Sequence, residues 1–487
     1  MTWISATGVV LRDLVPAALR REWVRSGHCP DRDLYSLFRD RVREQPTRPA
    51  VIDDEGTLTY LVLDAAVREL AARLEAAGCG PADIVGVREP AGRAAVLAEL
   101  AVLAVGAVVL PVPPGSDELL DRAGVRFVIG NGRIAGAAKF RRGAGSGRPH
   151  PEAPARILVS SGSESEPKMV AYSHNAFAGG RANYLRAVHG TTSVPRDLVL
   201  VQPTSGFGSF GVPVTLCCLG GTLIVTRWFE PGAALRSISE HRPTHVFAVP
   251  TMWRRMVEHP AEVDTGGLAA IVSSGDTLPP STLAACRERF SVPMIDIYGS
   301  SDGVNCHTTT PENGVGVPDP AVCEIRISDG EICARGPMTP LCYVAAPELD
   351  AAYRLDGGWV RSGDNGRFDD LGRLQVTGRR KRVVIRGGYT ISPAEVERAI
   401  GDHPAVKEVA CVPVPDTELG ERLCASVTVR NGHPPSLSEL TAFLAARGVA
   451  TPKLPEFLVV LPELPIGRTG KVCYRTLTRL AARRCGQ

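Results

Sequence analysis

The sequence predicts an α/β protein: a large amino-terminal domain of parallel-rich sheets sandwiched by helices, an antiparallel subdomain, and a small carboxyl-terminal α+β domain. Three observations predict it. Short Val/Ile/Leu runs alternate with helical patterns as far as Asn313, which is the mark of βαβ units. After Asn313 the character changes to short strands with Gly turns, as in the stretches around EIRISDGEICARG and GRFDDLGRLQVTGR. From Arg382 onward two helical patterns, at 393–401 and 437–447, punctuate a compact tail. The expected boundaries are 1–380 for the amino-terminal domain, with its antiparallel part at about 313–380, and 381–487 for the tail.

Element by element, aliphatic runs at 50–52, 84–87 and 105–111 read as strands, and the patterns at 61–77 and 94–105 as the helices between them. Residues 130–155 are rich in Gly, Pro and Arg and read as an exposed connection with little chemistry. Strand runs resume at 156–159, 198–202, 222–226, 245–249, 269–273 and 293–297. A repeat of fixed period is absent.

Composition narrows the function. A chain of 487 residues exceeds one ordinary domain. Lys plus Arg number 55 against 52 Asp plus Glu, a formal charge of +3, so no surplus attracts nucleic acid or an anionic membrane. Apolar residues make up 44% of the chain, yet no run reaches the roughly 18 residues a spanning helix needs. The amino terminus lacks a secretory signal pattern, so a cytoplasmic enzyme with a small-molecule substrate is expected. The 13 Cys show no CxxC pair, and no His cluster has zinc-like spacing; the thiols read as small buried hydrophobes. Lys is rare, standing only at 139, 168, 381, 407, 453 and 471, which draws the eye to motifs that keep it.

Four segments carry chemistry. The first runs from Leu158 to Lys168, a strand entering a hydroxyl-rich loop. Ser160, Ser161, Gly162 and Ser163 with Lys168 are suited to wrap phosphate oxygens; the alternative is a solvated surface loop. The second is Ile297-Tyr298-Gly299-Ser300-Ser301-Asp302, a buried strand delivering hydroxyls and a carboxylate to a sheet's carboxyl edge. Asp302 is suited to Mg²⁺, or else to a turn or helix cap. The third places Asp364 fifteen residues before Arg379, a pair able to fix a ribose. The last is a Gly-flanked Lys471 near the carboxyl terminus, able to reach a developing phosphoryl charge.

Together and in this order, the segments resemble the adenylate-forming superfamily of acyl-CoA ligases, aryl acid ligases, peptide-synthetase adenylation domains and luciferases. The match runs from about Leu58 to Leu477, through Ser173-His174, Val249-Pro250-Thr251, Ser274-Gly275 and GRRKRVVIRGGYTISPAEVE. The resemblance implies ATP and Mg²⁺ as cofactors. It implies that Asp364 holds the ribose hydroxyls with Arg379, Tyr298 and Gly299 line the adenine site, Ser301 meets the α-phosphate and Asp302 holds Mg²⁺. It makes Lys471, Ser301 and Asp302 the catalytic set, and Lys381 the hinge of a mobile lid domain. Gly387, Gly388 and Tyr389 match the segment that lid rotation brings in for the second half-reaction. By nearness to the family's pocket motifs, Gly206, Phe207, Ser274, Gly275, Asp276, Gly299, Val304, Asn305 and His307 are the acyl-pocket candidates. His307 is also a candidate base, or a structural His.

Departures from the family pattern are informative. Glu164 and Ser165 stand where its phosphate loop has Thr-Gly, Asp302 replaces a longer Glu, and Gly206 stands where an aromatic or His gate is usual. No phosphopantetheine-bearing carrier is expected after Lys471. The changed loop, the lost gate and the LVPAALRREWVRSGHCPDRDLYSLF extension resemble stand-alone amide bond synthetases. The expected partners are therefore a carboxylic acid, aryl or heteroaryl, and an amine. CoA is the alternative acceptor, and a degenerate non-catalytic nucleotide-binding protein is the alternative of another class.

Overall fold

The computed structural model describes residues 1–113, 115–136, 148–160, 167–192, 194–380, 382–430, 433–467 and 471–485. Aliphatic runs pair there into two large sheets. An eight-stranded sheet is ordered Asn305–Thr308, Met294–Gly299, Ala270–Ser274, His245–Ala248, Arg196–Val199, Thr222–Val225, Pro49–Asp53 and Gly56–Thr59. Its six central strands are mutually parallel, and the two outermost pair antiparallel. A seven-stranded sheet centres on parallel Ile84–Val87, Val108–Pro111 and Phe127–Gly130.

Central parallel strands need cover on both faces, and the helices supply it. Helix Arg93–Ala104 buries Ala, Val and Leu all round its circumference, the signature of a helix inside the body rather than on its surface. It packs with Tyr60–Ala76, whose first turn is capped by Thr59 accepting from Val62 N–H. The main apolar cluster draws on these helices and on both large sheets.

Several expected boundaries move. The 105–111 run becomes the strand Val108–Pro111, because Val105 caps the preceding helix and Gly106 turns the chain. The 130–155 segment is not wholly an exposed connection. Arg133–Ala135 pairs as an edge strand, Glu152 is buried, and Pro154–Val159 is a core strand. Residues 137–147 lie outside the described residues.

Glu331–Arg335, Trp359–Phe368 and Leu374–Arg379 build the antiparallel sheet expected after Asn313. Cys342–Tyr343 departs from that expectation: it leaves the subdomain and adds to Met169–Ser173 in the seven-stranded sheet. The tail forms its own sheet around the long pair Val406–Asp416 and Gly420–Val429, covered by Pro393–Gly401, Leu437–Ala446 and Tyr474–Cys485. Ser436 and Glu439 close a reciprocal capping box on the second of these helices.

The amino-terminal extension is a structural part of the body. Buried Arg20 pairs with Asp13 at 2.9 Å and donates to the Thr339 carbonyl at 3.0 Å, bracing the loop that leads to Tyr343. Among the described residues no helix is long and apolar enough to cross a membrane.

Candidate active site

The carboxyl ends of the parallel strands converge on one edge, where open α/β sheets bind ligands. Ala270–Ser274 leads into Gly275-Asp276, Met294–Gly299 into Ser300-Ser301-Asp302, and Pro154–Val159 into the hydroxyl-rich loop. That loop is pinched at its base. Ser160 N–H donates to the Lys168 carbonyl at 2.8 Å, and Lys168 N–H to Ser160 Oγ at 3.0 Å. Ser161, Gly162 and Ser163 lie outside the described residues. Lys168 Nζ rests 3.9 Å from the Tyr353 ring centroid and 5.5 Å from that of Tyr343, a cation held on an aromatic shelf.

Asp364 is buried on Trp359–Phe368, directly opposite Arg379 on the neighbouring strand. The Arg379 Nε lies 3.3 Å from Asp364 Oδ1, and the Tyr298 hydroxyl donates to Oδ2 at 2.8 Å. Burial pushes the Asp364 carboxyl above the ordinary carboxylate range, with Arg379 and Tyr298 opposing. Sequence-distant Tyr298, Asp364 and Arg379 thus meet as one cluster. The Asp302 carboxylate accepts from the Tyr343 hydroxyl through Oδ1, and its other oxygen takes no hydrogen bond among the described residues. A hard cation therefore finds one oxygen donor free, and Mg²⁺ fits the site on that ground. Tyr172 donates to the Ser301 carbonyl at 2.8 Å and fixes the turn before Asp302.

Lys471 reaches this edge from the carboxyl-terminal part of the chain. Gly467 N–H donates to the Lys471 carbonyl at 2.7 Å and Ile466 bridges Val472; residues 468–470 lie outside the described residues. A Cβ at Gly275 would stand 3.3 Å from Lys471 Cε and 3.5 Å from Nζ, and Gly275 itself has φ +97°. Only glycine suits that close approach and backbone. Burial lowers the Lys471 pKa below the ordinary lysine value, Asp276 works against that shift, and Arg379 adds to it.

The acyl-pocket candidates divide. Among the described residues, a Cβ at Gly206 would meet only Ser301 Cβ, at 3.8 Å. Phe207 beside it joins Phe210 and Phe247 in an aromatic group, with centroids 6.3 and 6.1 Å away. Asn305 and His307 share one face of their strand, beside Gly299 and Ile297. Burial lowers the His307 pKa, with Asp319 opposing. Three further candidates are placed differently. The Ser274 hydroxyl is spent on the Ile297 carbonyl at 2.8 Å; Val304 lies wholly in the main core; and Asp276 is an exposed turn residue set against Lys471. Gly387 and Gly388 make the positive-φ turn of a hairpin, and Tyr389 stands 62% exposed. Lys381 lies outside the described residues.

Sequence reasoning missed Tyr343, Tyr353, Tyr172 and Arg181, the last donating to the Gly206 carbonyl at 3.1 Å. They sit outside recognisable motifs, and only the fold brings them in. It also missed a buried group assembled from distant positions, where His189 Nε2 is 2.9 Å from Asp197 and stacks edge-on with His245. Burial lowers the His245 pKa to about 4. This group lies at the amino ends of its strands, away from the edge just described.

An edge that gathers Tyr298, Asp364, Arg379, Asp302 and Lys471 at the carboxyl ends of a parallel sheet is the arrangement expected of one class, the adenylate-forming ligases. Comparison agrees. The AMP-binding enzyme family model matches residues 38–134 and 128–344, and the AMP-binding enzyme C-terminal domain model matches 395–471. The chain belongs to the AMP-binding enzyme family. It is 30% identical to the salicyl-AMP ligase / salicyl-S-ArCP synthetase of Mycobacterium tuberculosis, over 95% of this chain and 93% of the relative. It is 26% identical to the medium-chain fatty-acid–CoA ligase of Escherichia coli, over 96% of this chain and 94% of the relative. The structure of the amide bond synthetase McbA from Marinactinospora thermotolerans superposes with TM-score 0.79 at 28% identity, covering 92% of this chain and all of that one. The protein is thus an AMP-forming carboxylate ligase.

Proposed function

We propose that this protein activates an aryl or heteroaryl carboxylic acid as its acyl adenylate and then transfers the acyl group to an amine, forming an amide. The open space at Gly206 carries the second half of this reading. A bulky gate at that position would stand against Ser301, and its absence leaves a path by which a neutral amine approaches the acyl carbon. Likeness to an amide bond synthetase over nearly the whole chain supports the same acceptor.

In the first half-reaction the acid's carboxylate attacks the α-phosphorus of ATP, forming the acyl–phosphate bond as the bond to pyrophosphate breaks. Asp364 and Arg379 hold the ribose, Tyr298 orients Asp364, and Gly299 leaves room for the base. Ser160 to Ser163 and Lys168 hold the departing phosphates. Lys471 stabilises charge growing on the phosphoryl oxygens. Asp302 would hold Mg²⁺, which supplies charge neutralisation on the triphosphate. The chain divides at Lys381 into residues 1–380 and a mobile lid, 381–487. Rotation about that hinge withdraws Lys471 and brings Gly387, Gly388 and Tyr389 toward the adenylate. In this reading His307, whose pKa burial lowers, accepts the amine's proton.

Gly206→His tests the acceptor path. The substitution is expected to slow amide formation at least about tenfold while acid-dependent pyrophosphate exchange falls less. Equal losses in both half-reactions would remove Gly206 from the acceptor path.

A further inference from the structure

Strand pairing sets Asn305 directly opposite Gly299. Gly299 is exposed, at the point where the sheet opens on the cleft. A Cβ built on it would lie 3.5 Å from Asn305 Nδ2, so the amide nitrogen borders the space that the missing side chain leaves. Asn305 itself is only 4% exposed. Its Oδ1 has no hydrogen-bond partner, and its side chain forms no hydrogen bond among the described residues. A primary amide offers two donors and an acceptor with two lone pairs. The Nδ2 facing the gap at Gly299 takes no protein acceptor among the described residues, so its N–H groups are open to an acceptor that a ligand brings.

The surroundings say what arrives. Beyond Ser301, Gly206 adds a second gap, and Phe207 adds an aromatic surface backed by Phe210 and Phe247. The Asn305 amide nitrogen borders the gap at Gly299 on the cleft edge. We propose that Asn305 selects the acid: the preferred substrate is an aromatic acid carrying a hydrogen-bond acceptor, a ring nitrogen or a ring-borne oxygen, that takes an N–H from Asn305 Nδ2. This rests on the acyl-pocket assignment made above. An acid of the same shape without the acceptor leaves the amide unpaired and is turned away.

Matched acids test it. Benzoate and 2-naphthoate are compared with the pyridine- and quinolinecarboxylates that move one ring nitrogen around the same frames, by kcat/KM for pyrophosphate exchange. At least one nitrogen isomer should exceed its carbocyclic parent about tenfold or more. In Asn305→Leu that ratio should collapse to near one. Asn305→Asp, which keeps the size but loses both N–H donors, should collapse it too, so the test survives if one variant fails to fold. No preference in the native enzyme, or a ratio retained in both variants, overturns the proposal alone. No exchange with any acid overturns the adenylation reading and this inference together.

Discussion

Burial pulls the Lys471 pKa down while exposed Asp276 holds it up, so the charge state of Lys471 depends on both. Removing the carboxylate lowers that pKa further. Asp276→Asn should therefore move the alkaline limb of the adenylation pH profile to lower pH; an unmoved limb would separate Asp276 from Lys471. Lys471→Ala should cut pyrophosphate exchange about 10²-fold or more, the scale of losing one preorganised charge-stabilising donor. Undiminished exchange would remove Lys471 from the chemistry. Asp364, Arg379, Tyr298 and Lys471 were legible in the sequence because each stands in a short ordered motif. Tyr343 was not. Its place beside Asp302 depends on a two-residue strand joining a distant sheet, and nothing local marks that pairing. Val304, next in sequence to Asn305, is fully buried in the main apolar cluster, a placement that sequence nearness to pocket motifs does not reveal.

Strands and helices were legible wherever period and length agreed. Pro393–Gly401 matches its expected bounds, and Tyr60–Ala76 and Arg93–Ala104 each fall one residue early. Boundaries failed where a cap turned an apolar run away from its strand, as at Val105. The contact between the tail and the body was invisible beforehand, since its charges lie far apart in the chain. Helix Pro250–Glu258 faces strand Val406–Asp416 through Arg254 and Glu408 at 3.0 Å, and through Glu258 and Lys407 at 2.8 Å. These groups are partly exposed, so each pair contributes about 1 kcal/mol or less. Glu408→Arg should slow adenylation a few-fold by placing like charges together, and Arg254→Glu in the same chain should restore it. Failure of the double exchange to restore the rate would show that this contact does not hold the lid in the adenylating arrangement.

At the scale of the whole molecule, two large sheets supply a rigid edge and the tail supplies the lysine that completes it. The family and the first half-reaction were legible because their motifs keep one order along the chain. The acceptor is less legible, because its path is defined by what is missing at Gly206 rather than by a residue that is present. The most direct measurement is a single-turnover experiment. Acyl adenylate formed on the enzyme is offered an amine and CoA together at equal concentration, and the products are weighed by mass spectrometry. Amide is expected to predominate; predominance of the acyl-CoA thioester would rule out an amine as the preferred acceptor.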